Sequence, residues 1–357
     1  MNTSHMKSRI IKIGNKNVGD TNSCYTIAEA GANHDGNVEK AFKLIDAAIK
    51  AKSDSIKFQT YSAEKLVTKS APKYWEDGID NETQFDVFKK LDSLSKENWK
   101  SVFEYAAKKE ITCFSTPFDE TSVDLLYSFN VPAFKIASAD ITHIPLIKHV
   151  ASKKLPIFIS TGMASEEDIE DAVNTIEDEG NHDIIIMHCI TSYPTQPKDA
   201  NLQMIKTLQE KFHDYIIGYS DHTIGTTIPI CSVFYGAKCI EKHFTFDTSL
   251  SESRDHRLSL DVKGFSEMVS GLRLAEVSRG NSIRTEFDVE KEAVKYARRS
   301  VVSLSKIPKG TIISREMLGI KRPGTGIPPK FFEKIIGSRA LKNIEDDTPI
   351  NFEDISL

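Results

Sequence analysis

Cysteine is scarce and unpaired in this sequence. Cys24, Cys113, Cys189, Cys231 and Cys239 stand apart, with no C-x-x-C among them. An odd, scattered set argues against a disulfide framework and suits a reducing compartment. No apolar run approaches the length of a membrane span, and the N-terminus lacks a signal-peptide core. The cytoplasm is therefore the expected location. Neither sign of charge is in large excess: 46 basic and 51 acidic side chains give a net −5. That removes the electrostatic case for nucleic acid or an anionic membrane as partner. Also missing is G-x-G-x-x-G after the first convincing strand, where Gly31-Ala32-Asn33-His34-Asp35-Gly36 stands instead. An open dinucleotide-binding sheet usually carries that loop.

What is present is alternation. Strand-like runs occur at Cys24–Ala30, Ser55–Thr60, Ile111–Ser115, Ala133–Ala137, Pro156–Ser160, Ile184–His188, Tyr215–Gly218 and Ala237–Ile240. Helical spacing follows them, as in Val38, Ala41, Phe42, Ile45, Ala48 and Ile49 after a capping Asn37. Ser165 and Asp168 form a capping-box pattern, and Asp199 is placed to cap a helix carrying Leu202, Ile205 and Leu208. Eight strand–helix units in about 260 residues predict a (β/α)8 TIM barrel, α/β in class. The predicted boundaries are residues 1–280 for the barrel, 281–297 for a charged linker and 298–357 for a small β-rich domain. In that domain, Ser300–Leu304, Thr311–Ile313 and Gly319–Lys321 are β-like.

In such barrels the active site lies at the C-terminal strand ends. Lysines break two strands that should be apolar, Lys57 in Ile-Lys-Phe-Gln and Lys135 in Phe-Lys-Ile-Ala. They are either structural partners of Glu29 or Glu241, or a cradle for phosphate or carboxylate. Thr116, Ser138, Ser160 and Ser220 on the same ring of strand ends would supply donors to such a cradle. His222 and His243 fall just past the last two strands. Each is either a structural histidine with a satisfied hydrogen bond, or half of a divalent-metal site. Between Tyr61 and Glu97 runs a long polar stretch with Tyr74 and Trp75, either a decorated surface loop or a lid. After His243 a second polar stretch, containing Asp255, must overhang a barrel's site.

These motifs in this order resemble the sialic acid synthase family: Glu29-Ala-Gly-Ala-Asn-His-Asp-Gly36, Lys57-Phe-Gln59, Ser115-Thr-Pro-Phe-Asp119, Lys135-Ile-Ala-Ser138, Ser160-Thr-Gly-Met163, Tyr193-Pro194, Tyr219-Ser-Asp-His222 and Glu241-Lys-His-Phe-Thr245. Arg299-Ser300 and Lys321-Arg322-Pro323-Gly324 resemble the family's C-terminal antifreeze-like (SAF) domain. The resemblance implies condensation of phosphoenolpyruvate with an N-acetylmannosamine-type aldose to a nine-carbon 2-keto-3-deoxy acid and phosphate. It implies a divalent cation, Mn2+, Mg2+ or Co2+, on His222 and His243. It assigns Lys57, Thr116, Lys135, Ser138, Ser160, Thr191 and Ser220 to phosphoenolpyruvate. It assigns Gln59, Tyr193, Asp255 and Arg322 to the sugar, with Glu29, Asp140 and Asp255 as proton-handling catalytic groups. It also implies a homodimer with a swapped SAF domain, which brings Arg322 to the neighbour's site.

Two departures bear on the sugar. Thr191 stands where the family often carries Asn, and Ser251-Glu-Ser-Arg254 replaces a Gly/Pro-rich lead-in. Ser138-Ala-Asp140-Ile-Thr142 and Asp255-His256 are more similar to N-acetylneuraminate and legionaminate synthases than to the pseudaminate branch. The alternatives are a pseudaminate-type synthase, a metal-dependent aldolase that releases no phosphate, and a non-catalytic sugar- or ice-binding protein.

Overall fold

The computed structural model describes residues 9–75, 82–92, 94–250, 253–281, 283–285 and 287–356. The first elements are an antiparallel pair, β1 (Ile10–Ile13) and β2 (Lys16–Gly19). Their alternation buries Ile11, Ile13 and Val18 in the main core.

Eight parallel strands then close a barrel in the order β10-β3-β4-β5-β6-β7-β8-β9. They are β3 (Tyr25–Gly31), β4 (Ser55–Thr60), β5 (Thr112–Pro117), β6 (Phe134–Ile136), β7 (Ile157–Ser160), β8 (Ile184–Cys189), β9 (Ile216–Asp221) and β10 (Cys239–His243). Every residue of β3, β9 and β10 is buried, as both faces of a barrel strand must be. On β4 the split is visible. Phe58 points out to meet Trp99 of the helix layer at 5.8 Å between ring centroids, while Lys57 points inward. In register with Lys57 stands Phe114, and with Lys135 stands Phe158; these two rings stack at 5.3 Å.

Helices α1 (Val38–Lys50), α2 (Ala63–Leu66), α3 (Gln84–Leu91), α4 (Lys96–Lys108), α5 (Glu120–Ser128), α6 (Ile144–Ala151), α7 (Glu166–Asp178), α8 (Gln203–Lys211), α9 (Thr227–Ser232) and α10 (Val262–Ser278) occupy the connections. Asn37 Oδ1 caps α1 by accepting from the Glu39 and Lys40 amides, and Ser165 with Asp168 closes a capping box on α7. The expected cap at Asp199 does not form. Asp199 ends a 3-10 turn, and Asn201 at φ 42° breaks the path before α8 begins after Leu202. The stretch after Tyr61 is not a plain loop, because α2 and α3 form in it. Thr83 and Asp86 make a capping box that starts α3.

Strands β9 and β10 run further than the sequence runs suggest. His222 directly follows β9, but His243 is the last residue of β10 rather than a residue past it. The alternation there is polar on both faces, which masks the strand. Inward go Ser220 and Glu241; outward go Asp221 and Lys242, a fully buried pair at 2.6 Å. Tyr219 Oη and the Thr223 amide donate to Asp221 Oδ1 at 2.9 and 3.0 Å, and Thr223 Oγ1 donates to Oδ2 at 3.0 Å. This satisfied network fixes the backbone that carries both histidines.

Contacts divide the chain between Gly280 and Asn281. In the second unit α11 (Lys291–Ala297) lies inside the expected linker, whose Ala, Glu and Lys residues are good helix formers. Ser282 and Glu286 of that linker fall outside the described residues. Strands β11 (Ser300–Ser303) and β12 (Leu318–Lys321) pair antiparallel, as do β13 (Arg339–Ala340) and β14 (Ile355–Ser356). The expected strand at Thr311–Ile313 makes only a bridge from Ile312 to Arg339. Val301, Ile307, Ile313, Ile327 and Ile350 belong to this unit's own core.

Candidate active site

The strand ends open onto a cavity of about 820 Å³. Beneath it lies a layer of paired charges. Lys57 Nζ is 2.7 Å from Glu29 Oε2 and 3.7 Å from Glu241 Oε1, and donates to Thr116 Oγ1 at 2.9 Å. Lys135 Nζ reaches both Glu241 oxygens, at 3.1 and 3.2 Å. Ser220 Oγ donates to Glu241 Oε1 at 3.2 Å, and Gln59 Nε2 to Glu29 Oε1 at 2.9 Å. No member of the Glu29, Lys57, Lys135, Glu241 quartet exceeds 7% side-chain exposure. Two positive and two negative groups offset one another, which is how buried charges persist.

Their electrostatics differ. Burial alone would raise the Glu241 carboxyl, but Lys135 and Lys57 outweigh it and hold it at about 2. Burial also pushes Glu29 up; there Lys57 opposes, the Glu241 charge adds to the rise, and the net direction is upward. Glu241 is thus the fixed anion and Glu29 the carboxyl more easily protonated. Burial raises Asp140 to about 6, in the range useful for proton transfer.

Around this floor converge the hydroxyls. Gly162 N donates to Ser138 Oγ at 3.1 Å. A Cβ at Gly162 would stand 2.2 Å from Thr191 Oγ1 and 2.7 Å from Ser138 Oγ, so only glycine lets these loops meet. Ser160 Oγ and Thr191 Oγ1 are buried and have no hydrogen-bond partner. Orphaned buried hydroxyls are places for a ligand atom or an ordered water.

The imidazoles of His222 and His243 lie 5.4 Å apart between ring centroids, and Tyr193 packs on both, at 4.2 and 6.1 Å. His222 Nδ1–H donates to the Ile190 carbonyl at 2.8 Å, which leaves Nε2 as the nitrogen that would face a cation. His243 Nδ1 is buried with no hydrogen-bond partner and lies 3.8 Å from Asp255 Oδ2. Burial and the neighbouring His222 push the His243 pKa well down, so its ring is neutral. Burial opposes a charge on His222, but Cys189, 3.9 Å from Nδ1, the Ile190 carbonyl and Asp221 together outweigh it and raise that pKa. A cation on the pair would compete with that proton. The donor set fits a divalent ion held by two imidazoles. Among the described residues no group of three or more His, Cys, Asp or Glu is arranged to hold one.

Gln59, Asp140, Tyr193 and Asp255 line the cavity. Arg257 and an apolar wall of Leu66, Val67, Val87, Phe88 and Phe118 line it too, and sequence reading missed them. The wall comes mostly from the stretch read as loop or lid, where short amphipathic helices leave weak periodicity. Glu241 was also underrated. It reads only as a partner for the lysines, and the structure makes it the hub of the floor. Ser251 and Glu252 lie outside the described residues. Arg322 belongs to the second unit, where it is exposed, just after β12.

The NeuB family model matches residues 44–284, and the SAF domain model matches residues 298–356. The chain belongs to the NeuB family. This is a family of synthases for sialic, legionaminic and pseudaminic acids, and the chain is an enzyme of that condensing class. It is 38% identical to the N,N'-diacetyllegionaminic acid synthase of Legionella pneumophila, over 96% of this chain and 97% of that one. It is 36% identical to a pseudaminic acid synthase of Campylobacter jejuni, over 94% and 97%. A crystal structure of the N-acetylneuraminic acid synthetase of Leptospira borgpetersenii superposes with a TM-score of 0.72 at 34% identity, covering 81% of this chain and 96% of that one. Such close identities do not set the pseudaminate branch apart.

Proposed function

We propose that this NeuB-family chain condenses phosphoenolpyruvate with an open-chain 2-acetamido aldose of N-acetylmannosamine type, adding water and releasing phosphate. The product is N-acetylneuraminate or a legionaminate-type acid. A pseudaminate-type acid is the second reading, favoured by the 36% identity to the Campylobacter synthase. The observation that carries the proposal is the Lys57–Lys135 floor with unpartnered Ser160 and Thr191 hydroxyls beside it.

Phosphoenolpyruvate sits on that floor, its anionic groups facing Lys57 and Lys135. Thr116, Ser138, Ser160, Thr191 and Ser220 donate to its oxygens. Gln59, Tyr193 and Asp255 orient the aldose so that its aldehyde carbon meets the enol carbon. A divalent cation on His222 and His243 would polarise the aldehyde oxygen. As the new carbon–carbon bond forms, the second carbon of phosphoenolpyruvate becomes cationic. Water adds there, and the adduct expels phosphate by C–O cleavage. Asp140, with its carboxyl near 6, and Glu29, with its raised pKa, are the groups suited to hold and return the protons.

The experiment is phosphate release from phosphoenolpyruvate with divalent metal and a panel of aldoses. Release that depends on a 2-acetamido aldose is expected. Product formed from pyruvate, with no phosphate, would replace the synthase with an aldolase.

We also propose that the chain acts as a homodimer in which Arg322 serves the partner's sugar site. An exposed guanidinium on a Pro–Gly turn suits hydroxyl and acetamido oxygens. Arg322→Ala should lower affinity for the sugar, and mixing Arg322→Ala with His222→Ala chains should then restore part of the activity, because one site of the heterodimer is intact. Subunit exchange without recovery would remove Arg322 from that role.

A further inference from the structure

Asp35 and His256 form a cluster of buried polar groups beside the site that does not line its cavity. His256 is fully buried. Its Nε2 faces Asp35 Oδ1 and Oδ2 at 3.2 and 3.3 Å, and its Nδ1 faces Thr245 Oγ1 at 2.8 Å. Asp35 is held in turn by Lys40 Nζ at 2.7 Å. Two elements are joined here: the turn after β3, which carries Asp35, and the strap after β10, which carries His256.

Asn33 makes a second tie between them. Its Nδ2 donates to the Phe244 carbonyl at 3.0 Å and to Ser259 Oγ at 3.1 Å. Ser259 Oγ donates to the Asp255 carbonyl at 2.6 Å, and the Ser253 hydroxyl accepts from the Asp255 amide at 3.3 Å. Asp255 is therefore gripped through its own backbone and through the ring of the next residue. Its carboxylate hangs over the cavity, 3.8 Å from His243 Nδ1. Burying hydrogen-bonded polar groups where plain packing would do carries a desolvation cost, so the cluster needs a reason in geometry.

We propose that Asp35 and His256 are positioning residues that hold the Asp255 carboxylate in place for the aldose. The inference rests on the reading that Asp255 faces the sugar. Neither residue lines the cavity, whereas Asp255 does, so the effect passes through Asp255. His256→Ala should raise KM for the aldose about tenfold, as losing an orienting partner does. KM for phosphoenolpyruvate should stay within about twofold, because the Lys57–Lys135 floor is untouched.

The decisive experiment is a double-mutant cycle on the full chain, read as kcat/KM for the aldose. In an Asp255→Ala background, His256→Ala should add less than about a twofold further loss. An unchanged tenfold loss in that background would show independent action and overturn the proposal. So would equal changes in both Michaelis constants. Should His256→Ala not fold, the same cycle runs with Asp35→Ala. Asp35→Asn, whose amide oxygen still accepts from Nε2–H, should restore most of the activity that Asp35→Ala loses. No difference between those two variants also overturns it. Wild-type turnover is the control. If the wild type releases no phosphate with any aldose, the reaction is wrong; if it does and the cycle is additive, only the clamp is wrong.

Discussion

His222→Ala and His243→Ala are each expected to lower turnover at least about a hundredfold while the barrel stays folded, since a Lewis acid supplies several kcal/mol to the barrier. Both rings sit above the floor, and neither is a strut of the barrel. The backbone that carries them is held by the Asp221–Lys242 pair, with Tyr219 and Thr223, whatever occupies the two positions. Removing one ring leaves a single imidazole, too few donors for a stable site. Excess chelator should mimic the substitution, and added divalent metal should reverse it. Turnover of the wild type and both variants, with and without chelator, checks this. Full wild-type activity in excess chelator would remove the metal from the account.

Lys135→Met should raise KM for phosphoenolpyruvate about tenfold to a hundredfold, because a charge-assisted contact contributes about 1.5–3 kcal/mol. The same substitution has a second effect. It leaves Glu241 with Lys57 at 3.7 Å and Ser220 as partners, so the protein should also lose stability. Stripping one partner from a buried pair costs about 3–5 kcal/mol, and the surviving contacts place this case toward the lower end. The two effects separate in Lys135→Met/Glu241→Gln. Neutralising Glu241 removes the orphaned charge, so the urea midpoint should recover while the raised Michaelis constant persists. A midpoint and a Michaelis constant that recover together would make Lys135 a structural partner only.

How much of this was legible beforehand varies with the residue. The barrel was, because eight apolar runs with helical spacing between them admit few other arrangements. Lys57 and Lys135 were, because a charge inside a two-sided buried strand is conspicuous. Glu241 was only half legible. Its strand alternates Glu, Lys and His, so polarity on both faces hid the strand's last residues and the inward direction of Glu241. The apolar wall from α2 and α3 was not legible, because helices of 4 and 8 residues give too few repeats to fix a face. Nor was the Asp35–His256 clamp, since those residues lie far apart in sequence and meet only when β10 pairs with β3. Asp199 misled for a local reason. A capping residue needs the chain after it to turn helical, and Asn201 in the left-handed region prevents that.

The most direct test follows oxygen. The enzyme is run in 18O-labelled water with phosphoenolpyruvate, an N-acetylmannosamine-type aldose and divalent metal, and the released phosphate is weighed by mass spectrometry. Water attack on carbon, followed by C–O cleavage, predicts phosphate without label, formed only when the aldose is present. Phosphate carrying one solvent oxygen, or phosphate released without the aldose, would contradict the condensation.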